Sequence, residues 1–455
     1  MMSAAAPPPS EPPRAPHDPA HCGLPSQDDP AHCVRAATHD HAHCGRSPQD
    51  DLAHCVRAAT HDHAHWELLR LREFPGERLN LNAGTLGTPA RSVLAAQQAF
   101  WGDELRAWPL GQYRRGRAAL ARARALVAEL WGPTPVALTG GASEAMTRLT
   151  LALHARLAPA KIRVLTSGHE HPGGVQGFLR HPAFEVIYLA DEALADPAAL
   201  AEQVLRFSPQ VLLLSQITYC TGQLLPIAAL LLAARAASPA LWTIVDAAQA
   251  VGLVAPALAD ADAVVTSGHK WLFGPPGSGL VWLSERARLE LAPGWAGEPL
   301  DPDAPAAAFE RAGGQDLSLH AGMAAALALH AALGPAAILA RSQTLAAWFA
   351  AELHARLRAR DIAHTFFDPP TGRLQTTPPT ADRLIGAVHV QFPDLDPYPA
   401  YAALDARGIH LKCIKSQRPT GARLSLLRFA LPCHESFNRL APALDAIAAA
   451  LAGAP

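Results

Sequence analysis

The sequence predicts a two-lobed α/β protein, with a large domain on a mainly parallel sheet followed by a smaller α+β C-terminal domain. Three observations carry that expectation. The chain has 455 residues, more than one compact core usually covers. From Val136 onward, short runs that are apolar at nearly every position alternate with Ala- and Leu-rich segments of helix length. Beyond Gly334 the rhythm changes to one long helical stretch and then closely spaced strands.

Composition narrows the class. Apolar residues make up 49% and charged residues 17%, which suits a soluble, well-packed enzyme. The 38 Lys and Arg nearly balance the 40 Asp and Glu, so there is no electrostatic case for nucleic acid or an anionic membrane surface. The start, MMSAAAPPPSEPPRAP, is proline-rich and lacks a charged segment followed by an apolar one, so no secretory signal is expected. The uncharged stretch Ala321 to Ala340 has the length of a membrane span. Gly334-Pro335 inside it, with His320 and His330 on or near it, points instead to a buried helix that breaks. Cys220, Cys413 and Cys433 are too scattered for a disulfide framework, and the expected location is the cytoplasm.

Residues 1–66 differ from the rest. DDPAHCVRAATHDHAHC (Asp28 to Cys44) recurs almost unchanged as DDLAHCVRAATHDHAHW (Asp50 to Trp66), a period of 22 residues. The segment has few large aliphatic residues, cannot offset its ordering entropy, and is expected to be a disordered tail. Its imidazoles and thiols suit weak divalent-metal binding. The near-identity of the copies fits a recent in-frame duplication, or translation from a start codon too far upstream.

Residues 67–333 are the expected large domain. VALT (136–139), IRVLT (162–166), FEVIYL (184–189), QVLLLS (210–215), LWTIVD (241–246), DAVVTS (262–267) and GLVWL (279–283) are its predicted strands. Strands apolar on both sides and separated by helices require a parallel sheet covered on both faces. Residues 334–455 are the expected small domain. It contains a helix over Ile338 to Arg360, strands at 387–392, 408–412 and 424–431, and a closing helix.

The motifs that carry chemistry fall at strand ends, where open α/β sheets place ligands. SGHKWLFGPPGSG (Ser267 to Gly279) sets Lys270 just past a buried-type strand, before a turn that glycines and prolines keep from becoming helix. Asp246 ends the apolar run LWTIV, 24 residues before Lys270. It suits either a helix N-cap or a carboxylate facing a protonated pyridine nitrogen. LTGGASEAM (Leu138 to Met146) puts Gly140-Gly141 before a helix, which presents free N–H groups and a positive dipole end to a phosphate. HEHPGG (His169 to Gly174) offers an imidazole that can stack on an aromatic ring.

In this order, from about Leu79 to the C-terminus, these motifs resemble the class V aminotransferase-like family of pyridoxal 5′-phosphate (PLP) enzymes of fold type I. Cysteine desulfurases, selenocysteine lyase, isopenicillin-N epimerases and kynureninase belong to it. The resemblance implies that the amine of Lys270 holds the cofactor and then moves protons. It implies that Asp246 holds the pyridinium nitrogen, Gln249 lies near the ring hydroxyl and His171 stacks on the ring. Ser143, the backbone around Ala142, Ser267 and His269 would bind phosphate. Arg428, with Arg423 as the alternative, would bind the substrate α-carboxylate, a task that suits a guanidinium fork. A homodimer and an amino-acid substrate follow, and no metal site is expected in the body. Tyr219 falls where many relatives have Asn, and Gly314 where a phosphate-binding Thr is usual. Cys413 lies a few residues before the place of the desulfurases' sulfur-carrying cysteine and is better read as a structural thiol.

The chemistry expected is therefore that of a lyase or epimerase of the isopenicillin-N epimerase-like branch. A true aminotransferase is the alternative. A metal-binding tail on an inactive PLP fold is the reading from another class.

Overall fold

The computed structural model describes residues 63–453 apart from 103–107, 109, 160, 294–297, 312 and 418–422. The expectations for the His/Cys repeats before His63 lie outside these residues. Helix α1 (His63–Glu73) begins inside the second repeat. Trp66 stands where the first copy has Cys44; it is buried and lies 6.0 Å from the Arg341 guanidinium. One large apolar side chain makes this end of the repeat part of the folded body.

All seven strands expected in the large lobe are present. They are β2 (Val136–Thr139), β3 (Ile162–Thr166), β4 (Phe184–Tyr188), β5 (Val211–Ser215), β6 (Trp242–Asp246), β7 (Ala263–Ser267) and β8 (Gly279–Leu283). The order across the sheet is β2-β8-β7-β6-β5-β3-β4, and only β8 runs against its neighbours. Side chains alternate between two cores. Leu212, Leu214 and Val245 enter one, while Val211, Leu213 and Ile244 enter the other. The first core is closed by α3 (Gly111–Trp131), α6 (Pro197–Phe207), α7 (Ile227–Ala237) and α9 (Ser318–Leu333). The second is closed by α4 (Ala142–Leu157), α5 (Pro172–Arg180) and α8 (Glu285–Glu290). Burial on both faces explains why these strands read as unbroken apolar runs.

The remaining helix of the large lobe's N-terminal segment is α2 (Arg91–Phe100). Gly334, at φ +80°, ends α9, and α10 (Pro335–Arg358) leaves at 80°. Among the described residues no single helix is long and apolar enough to cross a membrane.

The small lobe carries a five-stranded antiparallel sheet. Its order is β10 (Leu374–Gln375), β9 (Thr365–Phe367), β11 (Ala387–Gln391), β14 (Arg423–Ala430) and β13 (Lys412–Gln417). The short strands β9 and β10 are not legible in the sequence. The expected strand at 408–412 is divided between β12 (Ile409–His410) and the start of β13. Helix α11 (Tyr398–Ala406) and the closing helix α12 (Phe437–Ala452) pack on this lobe with α10. Strand β1 (Leu79–Asn80) pairs with β12, and Leu79 and Leu81 enter the small-lobe core. A segment assigned by sequence position to the large domain therefore packs with the small one, and it brings Asn82 to Thr85 beside β14.

One buried imidazole sets an acid limit on this fold. His434 stacks on Phe74 at 3.9 Å, is buried, and has no hydrogen-bond partner on either ring nitrogen among the described residues, the nearest carboxylate being Glu435 at 4.0 Å from Nδ1. Burial pushes it down to about 3. Its neutral form is therefore favoured in the fold, and stability is lost as pH falls from about 6.5 toward 3. We expect His434→Phe to recover ~2 kcal/mol at pH 5 relative to its effect at pH 8, from the linkage of those two values. Urea midpoints of the two proteins at the two pH values check this. An equal shift at both would show that the imidazole proton plays no part.

Candidate active site

The carboxyl ends of β2, β3, β6 and β7 lie along one edge of the large sheet. Asp246 pairs in register with Val265 of the neighbouring strand, so the Asp246 and Ser267–Lys270 termini are adjacent. Gly141, at φ +139°, turns the chain from β2 into α4. A side chain there would be strained, and a Cβ would approach Ser267 Oγ and the His269 ring at 3.6 and 3.7 Å. Ser267 Oγ accepts from Ala142 N–H at 3.1 Å. A second helix N-terminus, that of α5, arrives alongside. His171 caps it, with Nδ1 accepting from Gly173 N–H at 3.0 Å. The Nδ1 lone pair is thereby used, and the neutral ring carries its proton on Nε2.

One cavity of about 210 Å³ is lined by seven of the nine predicted site residues: Ala142, Ser143, His171, Asp246, Ser267, His269 and Lys270. Gln249 and Arg428 line a small adjoining cavity, and Tyr219 lines both. Gln249 is engaged at both ends of its amide. It donates to Gly84 O at 2.7 Å and accepts from Trp271 Nε1 at 3.2 Å. The alternative arginine, Arg423, is exposed at the far end of β14 and lines neither cavity. A larger concavity, about 500 Å³ between α2, α3 and α9, is lined chiefly by alanines and lacks a comparable convergence of polar groups.

Electrostatics distinguish the cavity from an ordinary surface cleft. Burial pushes the Lys270 amine down to about 8, with Asp246 opposing the shift and Arg428 reinforcing it. Burial raises Asp246, and Lys270 opposes that shift. Burial, then the charges of Lys270, Arg428 and Lys412, brings His171 to about 4. Its ring meets that of Tyr219 edge-on at 4.7 Å. Asp246 Oδ1 accepts from Ala248 N–H at 2.9 Å, while Oδ2 lies 3.0 Å from where a Cβ on Gly174 would stand. Glycine at 174 keeps the space over that oxygen clear.

The sequence did not mark Glu170 as functional. It is buried, accepts from Ser167 Oγ at 2.6 Å and from Ser215 N–H at 3.1 Å, and bonds Ser215 Oγ. Burial and the neighbouring Asp246 charge help raise it to about 7. Its place directly before His171 was the available signal. Arg428 is buried at 1% exposure and donates through Nη2 to Thr85 Oγ1 at 2.9 Å and Asn82 Oδ1 at 3.3 Å. Its Nε and Nη1 have no hydrogen-bond partner among the described residues. Such donors are costly to bury unless a ligand completes them.

The sequence pattern of class-V aminotransferases matches residues 79–413. The chain belongs to that family. Isopenicillin N epimerase of Streptomyces clavuligerus is 29% identical over 400 residues, 81% of this chain and 94% of that protein. A cysteine desulfurase from Thermococcus onnurineus NA1 has the same fold, with a TM-score of 0.69 at 17% identity over 85% of this chain and 98% of its own. A cystine C-S lyase in complex with cysteine persulfide gives 0.68 at 19% identity, over 83% and 99%. Family membership makes the protein an enzyme with pyridoxal 5′-phosphate as its cofactor. The cavity fits that group chemically. Two helix N-termini with Ser143, Ser267 and an unpartnered His269 Nδ1 suit a phosphate, Asp246 Oδ2 suits a protonated ring nitrogen, and Lys270 supplies an amine.

Two sequence departures have structural counterparts. Gly314 has open space where a Cβ would be, and the Gln315 amide donates to Arg311 O at 3.0 Å. Cys413 is half-buried, packs against the small-lobe core, and does not line the cavity.

Proposed function

We propose that this enzyme removes the Cα proton of an amino-acid substrate and completes the reaction as an epimerase or as a lyase acting at Cβ. The carrying observation is Arg428, a buried guanidinium with two unpartnered nitrogens beside the Lys270–Asp246 cavity. When bound, PLP supplies the electron sink that lets the Cα–H bond break. The residues do the rest. Ala142, Ser143, Ser267 and His269 would hold the phosphate, and Asp246 would keep a proton on the ring nitrogen. His171, neutral and fixed by Gly173, would lie against the ring. Gln249 braces Gly84 beside the carboxylate site. Arg428 would orient the α-carboxylate so that the Lys270 amine can take and return the proton at Cα.

Epimerisation is favoured over sulfur transfer. The curated relative at 29% identity is named as an epimerase, and no cysteine among the described residues lines the cavity to accept sulfur. Many family members are dimers, and we take the active form to be a homodimer, which light scattering checks. The holoenzyme should be incubated in D2O with amino acids, cysteine conjugates and sulfoxides. Cα deuteration with loss of optical purity, or release of pyruvate and ammonia, is expected. Stoichiometric keto-acid exchange without either would instead identify a transaminase. Arg428→Gln should raise KM by about 10- to 100-fold while kcat changes less, the effect of losing a charged partner for a carboxylate. Equal KM values would remove Arg428 from the substrate site.

A further inference from the structure

Lys412 lines the cavity, and neither sequence pattern nor family resemblance singled it out. It stands on β13 directly opposite Arg428 of β14, and Arg428 is in turn opposite His389 of β11. Directly paired residues share one face of a sheet, so three basic side chains form a row across this face. Cys413, the next residue, points the other way into the small-lobe core.

Two like charges paired across strands are destabilising unless an anion relieves them. Among the described residues no carboxylate forms an ion pair with Lys412 or Arg428. The nearby Lys415, by contrast, is paired with Asp396 at 2.5 Å. The Lys412 charge is felt at His171, which lines the same cavity. Counting the cations that line the two cavities among the described residues then leaves one over. The phosphate has its own cradle, and the substrate α-carboxylate takes Arg428. Lys412 is half-buried and faces the same space with nothing assigned to it.

We propose that the substrate is an α-amino acid with a second carboxylate on its side chain, and that Lys412 binds that distal carboxylate. This rests on the reading of the site as an amino-acid-processing PLP centre. Lys412 is thus a specificity residue, and the chain length between the two carboxylates must match the reach between Arg428 and Lys412.

The test uses holoenzyme, as wild type, Lys412→Met and Lys412→Arg. Coenzyme absorbance titrations and Cα-deuteration rates are measured with α-amino dicarboxylic acids bearing one to three side-chain methylenes, each against its side-chain amide. At least one dicarboxylic acid should be preferred over its amide by about tenfold or more in wild type. Lys412→Met should erase that preference by losing about 10- to 100-fold on the dicarboxylic acid, with little change on the amide, and Lys412→Arg should restore most of it. The proposal is overturned if wild type prefers no dicarboxylic acid, or if Lys412→Met lowers both members of a pair equally. If no amino acid perturbs the bound coenzyme, the amino-acid reading of the site fails and this inference fails with it. Intact coenzyme response with no dicarboxylate preference sinks the inference alone.

Discussion

Lys270→Ala is expected to lower turnover by roughly 10⁴-fold or more, since on the proposed function it removes both a covalent anchor and the proton carrier at Cα. The purified variant should bind PLP reversibly through its phosphate, and borohydride should no longer fix coenzyme to protein. The fold should persist. The backbone here is held independently of the amine, with Gly87 N–H donating to His269 O at 2.7 Å and Phe273 N–H to Lys270 O at 3.2 Å. The side chain is a buried cation that burial already weakens to about 8, so its own loss costs little, and the expected stability cost comes from the Asp246 charge it leaves uncompensated. The control is internal, because a second amine, Lys412, lines the same cavity. Coenzyme still fixed covalently in Lys270→Ala would mean that another lysine is the anchor, and every role assigned around Lys270 would have to move.

Much of this site was legible because its determinants are local. A phosphate cradle needs glycine before a helix N-terminus, and Gly140-Gly141 shows that in two letters. Asp246 and Lys270 each follow an apolar run, and two adjacent parallel strands suffice to bring them together. The seven strands were legible for the same reason, since burial on both faces removes all ambiguity of period. What escaped depends on tertiary placement. Strands β9 and β10 have three and two residues, too few to show a pattern. Leu79 and Leu81 sit among loop-like residues, and only their pairing with β12 assigns them to the small lobe. Lys412 acquires meaning from the residue across the ladder, Arg428, which lies 16 positions later in the chain. Glu170 was read only as the neighbour of His171. Its role under the site comes from Ser215, on a strand 45 residues away.

The second large effect concerns charge rather than attachment. Asp246→Asn should lower the rate of Cα-proton exchange by roughly 10²- to 10⁴-fold, the range seen when a preorganised charge or positioned proton partner is lost. The substitution keeps size and shape. An Asn at this place can still accept from Ala248 N–H through Oδ1, as Asp246 does at 2.9 Å. The oxygen lost is Oδ2, which faces the space left clear by Gly174. An amide NH₂ in its place cannot favour a proton on a ring nitrogen, so the sink for the Cα electrons weakens while the cradle and the Lys270 anchor stay. Glu170 cannot substitute. It is buried on Ser167 and Ser215, and at about 7 it is protonated in part of the population at neutral pH. Removing the Asp246 charge also takes away the group that opposes the downward shift of Lys270, so the amine should fall below about 8. Coenzyme attachment in the variant should then extend to lower pH, which absorbance titration reads directly. An Asp246→Asn enzyme that exchanges the Cα proton within a few-fold of wild type would show that the carboxylate merely caps the turn at Ala248.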